Sequence, residues 1–207
     1  MKIIEPSVEI LTEINGNKIL KQIEIAARNC YKSEDKITDD CESAKKIIKI
    51  LLDNHHEAMI EFADIMVRLN CDIGVYKDLT RHRHCSFAIE STRYCNYSKG
   101  KFGNELAFIK PCNIEELSDL WTEWACQMKE TEITYRRMAE LGAKPDQLRM
   151  ILPHSTAASV VMKANIREWR HILKLRTSKA AHPSVQQVMK MILNKFKEKI
   201  PVLFDDI

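Results

Sequence analysis

From Asp64 to Cys71 the chain alternates, with Ile65, Val67, Leu69 and Cys71 apolar and Asp64, Arg68 and Asn70 between them. A side chain that changes face at every residue marks a half-buried strand, so this segment is not helical. STAASVVMKA, residues 155–164, reads as a second strand. Elsewhere the apolar residues recur at helical spacing. NKILKQIEIAARNC is a helix with Ile19, Leu20, Ile23 and Ala26 on one stripe, and Asp39 or Asp40 is placed to cap a second through Ala44, Ile47, Ile48 and Leu51. A short helix runs from Gly74 into a basic cluster. Asn113 with Glu116 resembles a capping box and is expected to open a long helix through Leu117, Leu120, Trp121, Trp124 and Met128, ending near Gly142. Its tryptophans read as core. Pro145 starts a short helix that stops before Pro153. A helix through Trp169, Ile172 and Leu173 and a last one from Pro183 to Lys197 complete the chain. Helices dominate, with strands between them, so the class is mixed α and β. With 207 residues, five glycines, no repeat and no linker, one domain over residues 1–207 is expected.

The seven cysteines are odd in number and none stands in a CxxC spacing. That excludes a disulfide framework or zinc module and points to a reducing, cytoplasmic setting. The opening KIIEPSVEI has neither a long apolar run nor a cleavage-like site, so a signal peptide and a membrane span are not expected. A net charge of +3 gives no general polyelectrolyte character. Any strong positive field must come from clustering.

Two segments cluster it. One is RHRHCSFAIESTRY, Arg81 to Tyr94. The other is KANIREWRHILKLR, with Lys163, Arg167, Arg170, His171, Lys174 and Arg176. On a helix Arg167 and His171 share one face, and Arg170 and Lys174 another. Trp169, Ile172 and Leu173 then hold that helix to the core. Arg176 and the Arg81–Arg83 run have no acidic neighbour in sequence, and arginine forks suit bidentate phosphate recognition. Neither GxGxxG nor GxxxxGK is present, and no nucleic-acid module is recognisable, so phosphorylated small molecules are the expected ligands rather than nucleic acid. His55, His56, His82, His84 and Cys85 invite a metal reading. A dication beside Arg81 and Arg83 would be repelled, and on a strand His82 and His84 would point to opposite sides, so no metal is expected.

The spacing Arg81-His82-Arg83, then HCSFAIE, then Ser91 resembles the signature of the flavin-dependent thymidylate synthases, extended by Arg93-Tyr94. HHEAMIEF resembles that family's histidine segment through His56. QLRMILP resembles its arginine–Leu-Pro segment through Arg149, and ANIREWRHILKLR its asparagine-to-arginine segment through Asn165, Arg167, His171 and Arg176. The four segments follow in the family's order and span most of the chain.

The resemblance implies an α+β domain, helix-rich with a central, mainly antiparallel sheet, assembling as a homotetramer with active sites shared between subunits. It implies methylation of dUMP to dTMP, with 5,10-methylenetetrahydrofolate as carbon donor and FAD, reduced by NADPH, as hydride source. By the same resemblance Ala58, Arg81, His82, Arg83, Ile89, Asn165, Arg167 and His171 meet the flavin. Asp78, Arg81, Glu90, Ser91, Thr92, Arg93, Arg149 and Arg176 meet dUMP, with Arg149 from another subunit. Arg176 and His56 are the implied catalytic pair, and Arg176 would stabilise negative charge on the uracil ring. Four residues depart from the usual pattern: Asp78 for Gln or Glu, Ile89 for a polar residue, Phe62 for His and His171 for Asn. Asp78, Ile89 and Phe62 motivate a second reading, a family member with weakened catalysis that binds nucleotide or RNA. Pro111-Cys112 looks like the nucleophile dipeptide of the flavin-free thymidylate synthases, but its surroundings do not match. Cys112 reads as a loop residue.

Overall fold

A computed structural model describes residues 1–98, 100 and 103–207. The chain begins with β1 (Lys2–Ile4), β2 (Ser7–Ile10), α1 (Gly16–Asn29) and α2 (Glu42–Asp53). A 3₁₀ turn over Glu57–Phe62 leads into β3 (Asp64–Asp72), α3 (Ile73–Leu79), β4 (Cys85–Ile89) and β5 (Ala107–Ile109). Then come α4 (Asp119–Glu140), α5 (Pro145–Leu148), β6 (Ala157–Asn165), α6 (Ile166–Arg176), α7 (Pro183–Lys199) and α8 (Pro201–Phe204). The fold is α+β, about half helical.

The main sheet has the order β2-β3-β6-β4, antiparallel throughout. β3 and β6 pair along their whole length, from Asp64 opposite Asn165 to Asp72 opposite Ala157. Ile65, Val67, Leu69 and Cys71 are fully buried, as the alternation requires. Facing them from β6 are Val160 and Met162. Helices α1, α2, α6 and α7 cover this side of the sheet with Ile23, Ala44, Ile48, Trp169, Ile172, Leu173, Ile192 and Phe196. Burying one such side chain stabilises the fold by about 1.5–3 kcal/mol. The opposite face is polar where β2 meets β3: Arg68 donates to Glu9 at 2.8 Å and Asn70 to Ser7 at 2.9 Å. A smaller parallel sheet, β1 with β5, is bridged from Phe108 to Thr156, the residue just before β6. Phe108, Met128, Tyr135 and Leu148 form a second apolar cluster beneath α4.

Three local expectations change. The long helix starts at Ser118, whose hydroxyl accepts from the Trp121 amide at 3.2 Å, and not at Asn113. Glu116 is drawn off by Lys110 at 2.7 Å and closes no capping box. Leu117 therefore lies outside the helix at φ +69°, and both Leu117 and Leu120 are exposed. The tryptophans are half-buried, with Trp124 Nε1 donating to Ser155 Oγ at 3.1 Å. The second correction concerns α2, where the N-cap position is Cys41 at φ +64°. Asp40, one residue earlier, still supplies the acceptor, taking the Glu42 amide at 3.0 Å. Third, His82 and His84 precede β4 and lie in the turn after α3. Gly142 ends α4 at φ +88°, a conformation that glycine adopts without strain. Among the described residues no helix is long and apolar enough to cross a membrane.

Candidate functional site

Asp72 opens α3 by accepting the Val75 amide at 2.7 Å, and the helix ends at Leu79. The chain then turns, with the His82 amide returning to the Leu79 carbonyl at 3.0 Å. That turn carries Arg81 to His84 and delivers Cys85 into β4 beside β6. At the end of β6, Asn165 caps α6 by accepting the Glu168 amide at 2.8 Å. Helix α6 thus runs back beside the basic turn, and its last residue reaches it. Arg176 Nε donates to His82 Nε2 at 3.0 Å, and Arg176 Nη2 to the Asp78 carbonyl at 3.1 Å.

His82 is buried, at 7 % exposure. Burial first, then the Arg176 guanidinium and the neighbouring His171, push its imidazole down to about 4. The rings of His82 and His171 meet edge to face at 6.0 Å. A depressed histidine pKa means that the unfolded chain takes up the proton first as the pH falls. His82 therefore costs nothing above its ordinary value of 6.5, and stability is lost progressively from there down to about 4. Urea unfolding of the wild type and of His82→Gln should show this: the variant loses less stability between pH 6.5 and 5 than the wild type. Parallel curves over that range would mean that His82 is charged in the folded protein.

Beside this turn a cleft of about 500 Å³ is lined by Glu57, Glu61, His84, Asn165, Arg167, Glu168 and His171. Arg167 and His171 share it, as their spacing on α6 requires. Arg170, on another face, is buried and pairs with Asp206 at 2.6 Å. Arg167 is itself engaged, by Glu61 at 2.6 Å and Glu57 at 3.7 Å. Among the described residues Arg81, Arg83, Arg93 and Arg149 have no carboxylate partner, and all four are exposed. Arg28, Arg68, Arg136, Arg167 and Arg170 each have one. Arg93 lies 5.5 Å from the centre of the Tyr94 ring. Arg149 stands near α3, where its charge acts on the Tyr76 phenol against the upward push of burial.

Not every expected residue is gathered here. Ser91, Thr92 and Arg93 follow β4, at the opposite end of that strand from Arg81 and His82. Five strand residues put roughly 17 Å between the two ends. Ile89, half-buried, is the last residue of β4, opposite Val160. Glu90 is engaged internally, accepting from Tyr97 Oη at 2.7 Å and from the Ser159 amide at 3.1 Å. His56 and Ala58 are exposed at the start of the 3₁₀ turn, where the intervening Glu57 enters the cleft. Asp78 holds Arg176 through its carbonyl, while the residue lines a second cleft of about 490 Å³ with Asp72, Lys77, His154 and His182. A wider apolar concavity along α1, about 930 Å³, contains none of the residues expected at the site. The sequence reading missed Glu57, Glu61, His84 and Glu168. The i,i+4 pair in HHEAMIEF is the one signal that could have drawn attention to the first two.

Residues 13–202 match the family model described as Thy1, thymidylate synthase complementing protein. A flavin-dependent thymidylate synthase of Corynebacterium glutamicum is 26 % identical over 215 residues, covering 96 % of this chain and 83 % of its own. A probable flavin-dependent thymidylate synthase of Mycobacterium phage L5 is 26 % identical over 89 % of this chain and 79 % of its own. In fold the chain is similar to a UMP/dUMP methylase from Streptomyces cacaoi solved with 5-Br dUMP. That match has a TM-score of 0.80 and 21 % identity, and covers 99 % of this chain and 96 % of the other. Carrying the arginine-rich turn, the asparagine cap and the helix-end arginine within a match over nearly its whole length, the chain belongs to the Thy1 family of flavin-dependent thymidylate synthases.

Proposed function

We propose that this protein is an active flavin-dependent thymidylate synthase, methylating C5 of dUMP with 5,10-methylenetetrahydrofolate as carbon donor and NADPH as reductant. The observation that carries the reading is that Arg81, Arg83, Arg93 and Arg149, all in segments that resemble the family's, are exposed and have no carboxylate partner among the described residues, a state they share only with Arg137 of α4. Guanidinium forks left without carboxylates suit phosphates, and both dUMP and FAD bring them. The donor set fits a flavin. Asn165 spends its Oδ1 on the helix cap and keeps its amide hydrogens for a ligand. His171 adds an imidazole to the same cleft. Because Arg167 is paired with Glu61, the flavin pyrophosphate falls to Arg81 and Arg83. Bound FAD would supply the hydride. His56 and Ala58 contribute from the edge of the cleft, and Ile89 from the end of β4.

The length of β4 supports a site completed by a second copy of the chain. Ser91, Thr92 and Arg93 of one copy hold the nucleotide phosphate together with Arg149 of another. Arg176 and Arg81 of another face the base, and Asp78 and Glu90 stand by the sugar. This is the homotetrameric arrangement that the sequence resemblance implies. The whole chain acts as one catalytic domain in the cytoplasm.

The test is tritium release from C5-labelled dUMP with methylenetetrahydrofolate, FAD and NADPH, run beside UMP. Release with dUMP supports the reading. Stoichiometric nucleotide binding without release would favour a binding protein. Ser91 serves as a binder and not a nucleophile, since among the described residues no base contacts its hydroxyl and its carbonyl is used by the Tyr94 and Cys95 amides. Ser91→Ala should raise KM for dUMP about tenfold, the loss of one charge-assisted hydrogen bond, and leave kcat nearly unchanged. A trapped Ser91–nucleotide adduct would count against it.

A further inference from the structure

Resting on that functional reading, we propose that Glu168 is a positioning residue: it holds His82 as the neutral Nδ1–H tautomer, and His82 in turn fixes the guanidinium of Arg176 toward the base.

The Arg176 contact as it stands is compatible with one tautomer. Arginine has donors and no acceptor, so the contact of Arg176 Nε with His82 Nε2 at 3.0 Å requires that Nε2 carry no proton. The proton of a neutral imidazole is then on Nδ1. Nδ1 faces Glu168 Oε1 at 3.6 Å, and both side chains are largely buried, 6 % and 13 % exposed. The backbone that carries Glu168 is held in the first turn of α6, where its amide donates to Asn165 Oδ1 at 2.8 Å. The carboxylate therefore marks which ring nitrogen keeps the proton.

The opposite tautomer would place an N–H against the Arg176 Nε–H. Two donors would then meet in a buried site and the guanidinium would be displaced. In the observed arrangement Arg176 spends one N–H on His82 and one on the Asp78 carbonyl. Three of its five donors are left for a ligand. Both anchors are uncharged, so the full positive charge remains available to the uracil ring. A direct carboxylate partner would cancel that charge. A carboxylate acting through an imidazole orients the arginine from one residue farther away.

Around the ring, burial and the neighbouring basic groups hold His82 neutral, and they outweigh the Glu168 carboxylate, which favours the charged form. Arg176, His171 and Glu168 face it from α6. Arg81 and Arg83 flank it in its own turn. From β4, Cys85 lies near Glu168, and burial followed by that carboxylate pushes its thiol up to about 12, so it brings no charge.

The experiment uses the full chain labelled with ¹⁵N-histidine, and His82→Gln to identify the His82 signals. Ring-nitrogen spectra are recorded from pH 5.5 to 8 for the wild type, Glu168→Gln and Glu168→Ala. Wild-type His82 should stay neutral with its proton on Nδ1 throughout. Glu168→Ala should mix the tautomers and lower kcat for dUMP about tenfold, with KM changed far less, since the arginine is misoriented and not removed. Glu168→Gln, which keeps an acceptor oxygen, should restore a single tautomer and much of the rate. A proton on Nε2 in the wild type, titration of His82 near 6.5, or one tautomer and an unchanged kcat in Glu168→Ala would overturn the assignment. If the spectra behave as expected and no variant methylates dUMP, including the wild type, the positioning stands and the functional reading falls.

Discussion

Arg176→Ala is expected to abolish most dUMP methylation while leaving a folded, yellow protein. The residue ends α6 and is held by a buried neutral imidazole and a backbone carbonyl, with no carboxylate partner among the described residues to neutralise it. C5 of uracil is a poor nucleophile until the ring gains electron density. A fixed cation at the ring oxygens favours that state because it is already in place before charge develops. Loss of one such preorganised donor typically costs about a hundred- to a thousandfold in rate. The fold should survive. Trp169, Ile172 and Leu173 keep α6 on the core, and only two acceptors, His82 Nε2 and the Asp78 carbonyl, are left behind in a part-buried site. Their loss costs at most about 1–3 kcal/mol. FAD absorbance and flavin-driven oxidation of NADPH by oxygen should persist. Arg176→Lys should recover part of the rate, since an ammonium keeps the charge and cannot serve both His82 Nε2 and the Asp78 carbonyl with a planar fork. Near-parental dTMP formation by Arg176→Ala at saturating dUMP would mean that the uracil is activated by another group.

What the sequence reveals here depends on how locally each feature is determined. β3 is legible because its alternation runs unbroken for its length, and its four inward residues are the ones that the structure buries. β1, β2 and β5 have three or four residues each, too few for any period to declare itself. The start of α4 is misread because the choice between Asn113 and Ser118 is made by Lys110, which takes Glu116 from outside the helix. The site divides in the same way. Arg81 to Arg83 and Ser91 form one contiguous motif, so their spacing is visible. Arg167 is visible in the asparagine-to-arginine segment, but its partner Glu61 lies 106 residues away. Glu168 could not be identified as a partner of His82, because only the packing of α6 against the turn after α3 brings them together. The sequence specifies which charges are present, and tertiary pairing decides which stay available.

That distinction gives the second large effect. Arg81→Ala/Arg83→Ala is expected to yield colourless protein with an unchanged fold. Both guanidiniums are exposed and neither has a carboxylate partner among the described residues. Surface substitutions of this kind usually change stability by no more than about 0.5 kcal/mol, so circular dichroism and the unfolding midpoint should match the wild type. Flavin affinity should not. A charge-assisted hydrogen bond to phosphate contributes about 1.5–3 kcal/mol. Losing two removes about 3–6 kcal/mol, roughly a hundred- to ten-thousandfold in Kd. Lysine at both positions should restore part of the affinity, keeping charge without the bidentate fork. Arg167→Ala is the informative comparison, because its charge is already met by Glu61 and Glu57. It should retain the yellow colour that the double variant loses. Stoichiometric FAD in Arg81→Ala/Arg83→Ala, with Arg167→Ala colourless, would mean that the Arg167–Glu61 pair opens on binding and that the pyrophosphate belongs to α6 and not to the turn after α3.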